Sequence, residues 1–172
     1  TGPIEVERNT VIRARAFRDG VEASQIISQT YLISVYHTMP VICLTTDPDN
    51  LWNEEYGALA DGPNIDKSTS TPWFKNATYG QKNWFPAWLE YTDENGQLQI
   101  SQGVRFRIMG QYSLDMPQKS MFIKADGQFG KSEFDYALFD DRPYTTYKSF
   151  VLRNGGQDGL YTRVMDGLEA RI

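Results

Sequence analysis

The sequence predicts a mainly β chain with some helix, an α+β fold in two parts that divide at residues 36 and 37. Three observations predict it. Short runs of strand-forming residues recur along the chain, and the run at 10–17 alternates apolar with polar positions, the period of a strand with one buried face. Turn dipeptides, Asp19-Gly20 and Asn95-Gly96, stand between such runs. Only 162–172 has sustained helical spacing, through Val164, Met165, Leu168 and Ile172.

Composition narrows the function classes. A length of 172 residues suits one ordinary domain or two small ones. The net charge of −5 argues against nucleic acid, whose binding is dominated by phosphate neutralisation. One Cys and one His exclude an internal disulfide and a Cys/His zinc cluster. No apolar run approaches the roughly 18 residues of a membrane-spanning helix. The chain starts at Thr1 without Met or a signal-peptide pattern, and is expected to be a piece of a longer protein.

The elements follow in order. Residues 3–6 read as a short strand. In 10–17, Ile12, Ala14 and Ala16 share one side and Arg13 and Arg15 the other. Asp19-Gly20 turns the chain, and 26–35, rich in Ile, Tyr, Thr and Val, returns as a strand. So few strands need a partner sheet to be stable. His37-Thr38-Met39-Pro40 reads as a joint, after which 41–44 begins a second, separable unit.

Asp47-Pro48-Asp49 reads as a helix start, with Asp47 as N-cap, Pro48 in the first helical position and Asp49 favoured by the dipole. A calcium loop is the alternative for Asp47, Asp49 and Asn50, but Leu51 and Trp52 stand where a ligand and Gly are needed. Residues 57–83 read as a long polar loop, a length usually tied to function or mobility. Strands resume at 87–91, 98–100 and 104–109, with the Glu94-Asn95-Gly96 turn between the first two, and further strands follow at 119–125 and 148–152.

The chemistry-bearing residues are sparse. Glu54-Glu55 and Asp140-Asp141 are adjacent pairs, which in a strand point to opposite faces and share no site. His37 reads as an exposed joint residue, and Cys43, inside Val41-Ile42-Cys43-Leu44, as a buried thiol. Residues 103–131 differ from the rest. They carry five basic residues, Arg105, Arg107, Lys119, Lys124 and Lys131, against Asp115 and Asp126, a net +3 that leaves −8 elsewhere. Such an island can face phosphate; alternatively, Arg105 and Arg107 form the wet side of a strand that buries Val104, Phe106 and Ile108.

Two stretches resemble known families. Residues 1–33, TGPIEVERNTVIRARAFRDGVEASQIISQTYLI, resemble the last strands of the chitobiase/hexosaminidase C-terminal-type β-sandwich repeat, which implies a partial β-sandwich module at 1–36. Residues 40–172 resemble the opening of the spore-coat protein H (CotH) kinase-like family. Five phrases carry this: PVICLTTDPDNLW, NWFPAWLEYTDENGQL, SQGVRFRIMG, MPQKSMFIKA and YKSFVLRNGGQDG. That family resembles protein kinases, in which a small β-rich lobe precedes a larger lobe with the catalytic and metal-binding carboxylates.

The resemblance implies that 37–172 is a kinase-N-lobe-like antiparallel sheet unit, truncated. It would be the ATP-binding front half of an atypical protein kinase and not competent alone. No catalytic or metal-binding residue is assigned; ATP and magnesium would belong to the full-length parent, with none expected on this chain. The cofactor-binding candidates are Lys119, in the family's Lys-Ser phrase, Lys124, and Arg107 of the basic island. Lys124 closes Met121-Phe122-Ile123-Lys124, similar to the kinase Val-Ala-Ile-Lys strand but with a bulkier Phe122. Two departures stand out: Gly110-Gln111-Tyr112-Ser113-Leu114 replaces a Gly-rich turn, and Met165-Asp166 replaces Arg-Asp.

By resemblance the protein is bacterial and extracellular or cell-surface. Its expected partners are a protein substrate or a surface glycan, with no nucleic acid and no membrane-spanning segment. The alternative is a non-catalytic cell-surface binding or scaffold module that holds glycan or protein with Trp73, Phe74, Tyr79, Trp84 and Phe85.

Overall fold

The structure is a computed structural model and describes residues 2–68 and 75–155. In chain order the elements are β1 (Thr10–Ala14), β2 (Phe17–Arg18), β3 (Val21–Glu22), β4 (Ile27–Tyr31), β5 (Val41–Thr45), α1 (Pro48–Trp52), β6 (Phe85–Thr92), β7 (Leu98–Met109), β8 (Ser120–Ala125), β9 (Phe134–Asp135), β10 (Thr146–Tyr147) and β11 (Ser149–Leu152). Two 3-10 turns, Thr78–Gln81 and Tyr112–Asp115, complete them. Five strands form one sheet in the order β11-β8-β7-β6-β5, and β1-β4, β2-β3 and β9-β10 are two-stranded. The fold is mainly β and antiparallel. Residues 162–172, with their helical spacing, and Trp73 and Phe74 lie outside the described residues. Among the described residues no helix is long and apolar enough to cross a membrane.

Local sequence explains much of this. Asp19 and Gly20 both adopt positive φ, 51° and 78°, so the two-residue connection turns β2 directly onto β3. At α1 the Asp47 carboxylate accepts the Asp49 N–H at 3.2 Å, with Pro48 in the first turn, so Asp47 acts as a cap. The described residues differ from the sequence reading in three places. Residues 3–6 form no strand; Pro3 offers no N–H to a ladder, and residues 2–5 are exposed. The strands expected at 98–100 and 104–109 are one, β7, running through Gly103. The expected 57–83 loop is partly ordered by backbone bonds: Ala58 and Leu59 donate to Asn50 and Leu51, Asp66 bridges Lys75, and Thr78 donates to Asp61.

The chain divides into two compact units, each assembled from separate segments. The first comprises the chain up to Thr45, Pro86–Val104 and Ala125–Lys148. Its core holds Leu89, Tyr91, Ile100, Val104 and Phe134. Within it, Glu90 on β6 is only 3% exposed and receives Gln29 Nε2 at 2.9 Å, Thr30 N–H at 2.9 Å and Thr30 Oγ1 at 2.5 Å. The carboxylate thus satisfies three donors on β4. The second unit comprises Thr46–Phe85, Arg105–Lys124 and the chain from Ser149. Its core holds Ala58, Tyr79, Phe85, Phe106, Ile108, Leu114 and Ile123, with Phe85 and Phe106 rings 5.8 Å apart.

Candidate functional site

The basic island falls on two places in the second unit. On β7, Phe106 and Ile108 are fully buried and Arg105 and Arg107 take the opposite, half-open face, as strand alternation requires. On β8, Ile123 is buried while Phe122 and Lys124 share the other face. Trp84, just before β6 and 39% exposed, closes the cluster. The Arg105 guanidinium carbon lies 4.7 Å from the Trp84 ring centre and that of Arg107 lies 5.2 Å away. Arg107 is also 5.3 Å from the Phe122 ring, and Trp84 meets Phe122 edge-on at 5.7 Å. These distances are within cation–π range, so both guanidinium groups pack against aromatic rings.

Lys119 is elsewhere. It precedes β8, and its Nζ donates to Leu114 O at 2.6 Å and Met116 O at 3.1 Å, with the Tyr79 ring 4.0 Å away. Two carbonyls and a π face account for its three protons, and it ties down the end of the Tyr112–Asp115 turn. Burial pulls its pKa below the ordinary lysine value, while the carboxylates of Asp115 and Asp61 pull it back. Beside it lies a cleft of about 530 Å³ lined by Leu59, Pro117, Lys119, Met121, Leu152 and Arg153. Of the three residues expected to bind a cofactor, the structure places Arg107 and Lys124 on one face and Lys119 at this cleft.

One organising residue was not visible in the sequence. Asn154 follows β11; its Nδ2 donates to Gln118 O at 2.6 Å, and Ser120 Oγ donates to its Oδ1 at 2.9 Å. It pins the segment that carries Lys119. The Asn154-Gly155-Gly156 run reads only as a turn, and nothing local announces this role.

Other expectations resolve more simply. Cys43 is half-buried; burial raises its thiol pKa, a hydrogen bond with Thr30 lowers it, and the Glu90 charge raises it further, so the net direction disfavours a nucleophile. His37 is half-buried, not exposed, with Nε2 lacking a hydrogen-bond partner among the described residues. Tyr79 and Phe85 of the aromatic loop fold into the core, which leaves Trp84 as its half-open member among the described residues. Among the described residues no group of three or more His, Cys, Asp or Glu side chains could hold a metal ion. No protein-family model, curated protein or solved structure matches the chain.

Proposed function

We propose that the chain is the front part of a CotH-like surface protein, equivalent to the nucleotide-facing small lobe of an atypical protein kinase and not catalytically competent alone. The observation that supports this is where the five family-like phrases fall. PVICLTTDPDNLW covers β5 and α1, NWFPAWLEYTDENGQL covers β6 and its hairpin, SQGVRFRIMG most of β7, MPQKSMFIKA β8, and YKSFVLRNGGQDG β11. The resemblance thus runs along all five strands of one antiparallel sheet. The cleft beside Lys119 is in the size range of small-molecule sites.

A phosphate at Lys119 would compete with the two carbonyls that already hold its ammonium. ATP with magnesium is therefore expected to bind this chain no tighter than about millimolar, too weak for more than a small thermal shift. Saturation-transfer NMR at several millimolar ATP and magnesium tests this, with calorimetry for any tighter site. A signal that is absent, or weak and lost in Lys119→Ala, is the expected result. Tight binding that survives both Lys119→Ala and Lys124→Ala would remove the basic island from the nucleotide reading. A micromolar Kd that survives Lys119→Ala and is lost in Lys124→Ala would move the phosphate to the open face of β7 and β8.

The second reading is a non-catalytic surface module that binds glycan or protein. It is favoured by one observation: Trp84 stays half-open beside the Arg105 and Arg107 guanidinium groups.

A further inference from the structure

Arg107 and Lys124 share the open face of β7 and β8, and among the described residues neither has a carboxylate within ion-pair distance. This is unusual on a chain with 22 acidic residues and 17 basic ones. Their local potential is positive although the molecule as a whole is negative. The half-exposed Arg107 guanidinium lies beside the edge-on Trp84–Phe122 pair, 5.2 Å and 5.3 Å from the two ring centres, and its planar fork suits a bidentate pair with a carboxylate.

We propose that this face docks an extended acidic peptide of a partner protein, with carboxylates on alternate residues. The inference deepens the protein-binding side of the second reading and stands whether or not ATP binds at the Lys119 cleft. Spacing selects the occupant. Arg107 packs on Phe122, and Lys124 lies two residues further along the same face of β8. Diagonal neighbours on adjacent strands are about 7–8 Å apart. An extended chain presents alternate side chains on one side about 7 Å apart. Carboxylates at positions i and i+2 of such a chain can therefore meet both cations at once.

The aromatic rings add apolar surface beside the cations, and Arg107, already packed against them, loses less freedom on binding. Overall charge argues against a long polyanion. The net −5 repels a phosphate backbone or sulfated glycan along its whole length. A short segment is held by the local cations, because exposed charges beyond a Debye length of about 10 Å at 0.1 M salt are largely screened.

The test is fluorescence anisotropy with a short labelled peptide of alternating Glu and Thr. Controls are a peptide of the same composition with its Glu residues in one block, an alternating Lys and Thr peptide, and a heparin oligosaccharide as competitor. The alternating acidic peptide is expected to bind most tightly and to lose affinity with salt. Arg107→Ala and Lys124→Gln should each weaken it about tenfold, a change of about 1.4 kcal/mol. Arg107→Lys should recover only part, since charge returns without the planar fork. Lys131→Ala, an exposed cation of the same sequence island, should change nothing.

Circular dichroism and melting curves establish that each variant is folded, and Lys124→Gln carries the test if Arg107→Ala is not. Equal affinity for the blocked and alternating peptides, or no binding by either, would overturn the proposal. Displacement by heparin at lower concentration than by the peptide would assign the face to an anionic glycan, and displacement by ATP would assign it to phosphate. Either result would also overturn it.

Discussion

A Cβ on Gly103 would sit 1.7 Å from Phe129 O, and one on Gly130 would sit 2.5 Å from Gly103 O. Two backbones pass here with only hydrogen between them, which explains a glycine in the middle of a long strand. Gly103→Ala must push the 126–130 turn away or bend β7. It is expected to cost about 2–3 kcal/mol, the scale of overpacking in a tight core. Urea denaturation would show a lower midpoint with an unchanged slope; an unchanged midpoint would show that the turn yields freely. In the sequence the same glycine read as a gap between two strands, because its reason is a carbonyl that arrives from 26 residues downstream, at Phe129. Lys119 shows the same limit at shorter range. It was read as the first residue of a strand that in fact begins at Ser120, and its bonds to Leu114 and Met116 depend on how the Tyr112–Asp115 turn folds back.

The β6–β7 hairpin was legible from Asn95-Gly96, and Gly96 does take positive φ, 77°. What organises it is Asp93. Its carboxylate accepts the N–H groups of Asn95 and Gln97, both at 2.9 Å, and Gln99 Nε2 at 2.7 Å. Led by the Gln97 bond, these hold its pKa below the ordinary aspartate value of 3.8, despite the opposing effect of burial. A depressed carboxylate contributes stability that is fully present above 3.8 and is lost as pH falls through the folded-state value. Asp93→Asn should therefore lower stability at neutral pH, and the gap from wild type should narrow at a pH well below 3.8. Urea midpoints at the two pH values measure it, and a gap that does not change with pH would remove the charge from the explanation. Elements without a run of their own were invisible in sequence. The pair β9 and β10 has two residues in each strand, too few for any alternation to be read.

Within the first unit, Glu90 receives donors from Thr30, 60 residues away in sequence. Breaking the chain between them should not by itself separate the pieces. Limited proteolysis is expected to cut first at 37–40, where Thr38, Met39 and Pro40 are exposed, or in 61–82, before it cuts within 104–152. After a cut at 37–40 the N-terminal peptide should co-elute with the remainder on size exclusion. Glu90→Ala should release it, since three donors on Gln29 and Thr30 then lose a buried charged acceptor. Release from the wild-type protein would show that Glu90 does not hold the hairpin. Early cleavage inside 104–152 would contradict the placement of the core.

The sequence by itself determined the β class, the hairpin turns, the Asp47 cap and the alternation that faces Arg105 and Arg107 away from Phe106 and Ile108. Each depends on neighbours within a few residues, through a strand period of two, a positive φ or a short side-chain reach. Only the tertiary structure decided that Arg107 and Lys124 share a face while Lys119 is held at a cleft. It likewise decided that Trp84 lies against two guanidinium groups and that Gly103 belongs to a continuous strand. Those outcomes depend on which strands become neighbours, a choice made by burying apolar surface over the whole chain and not encoded at any one position.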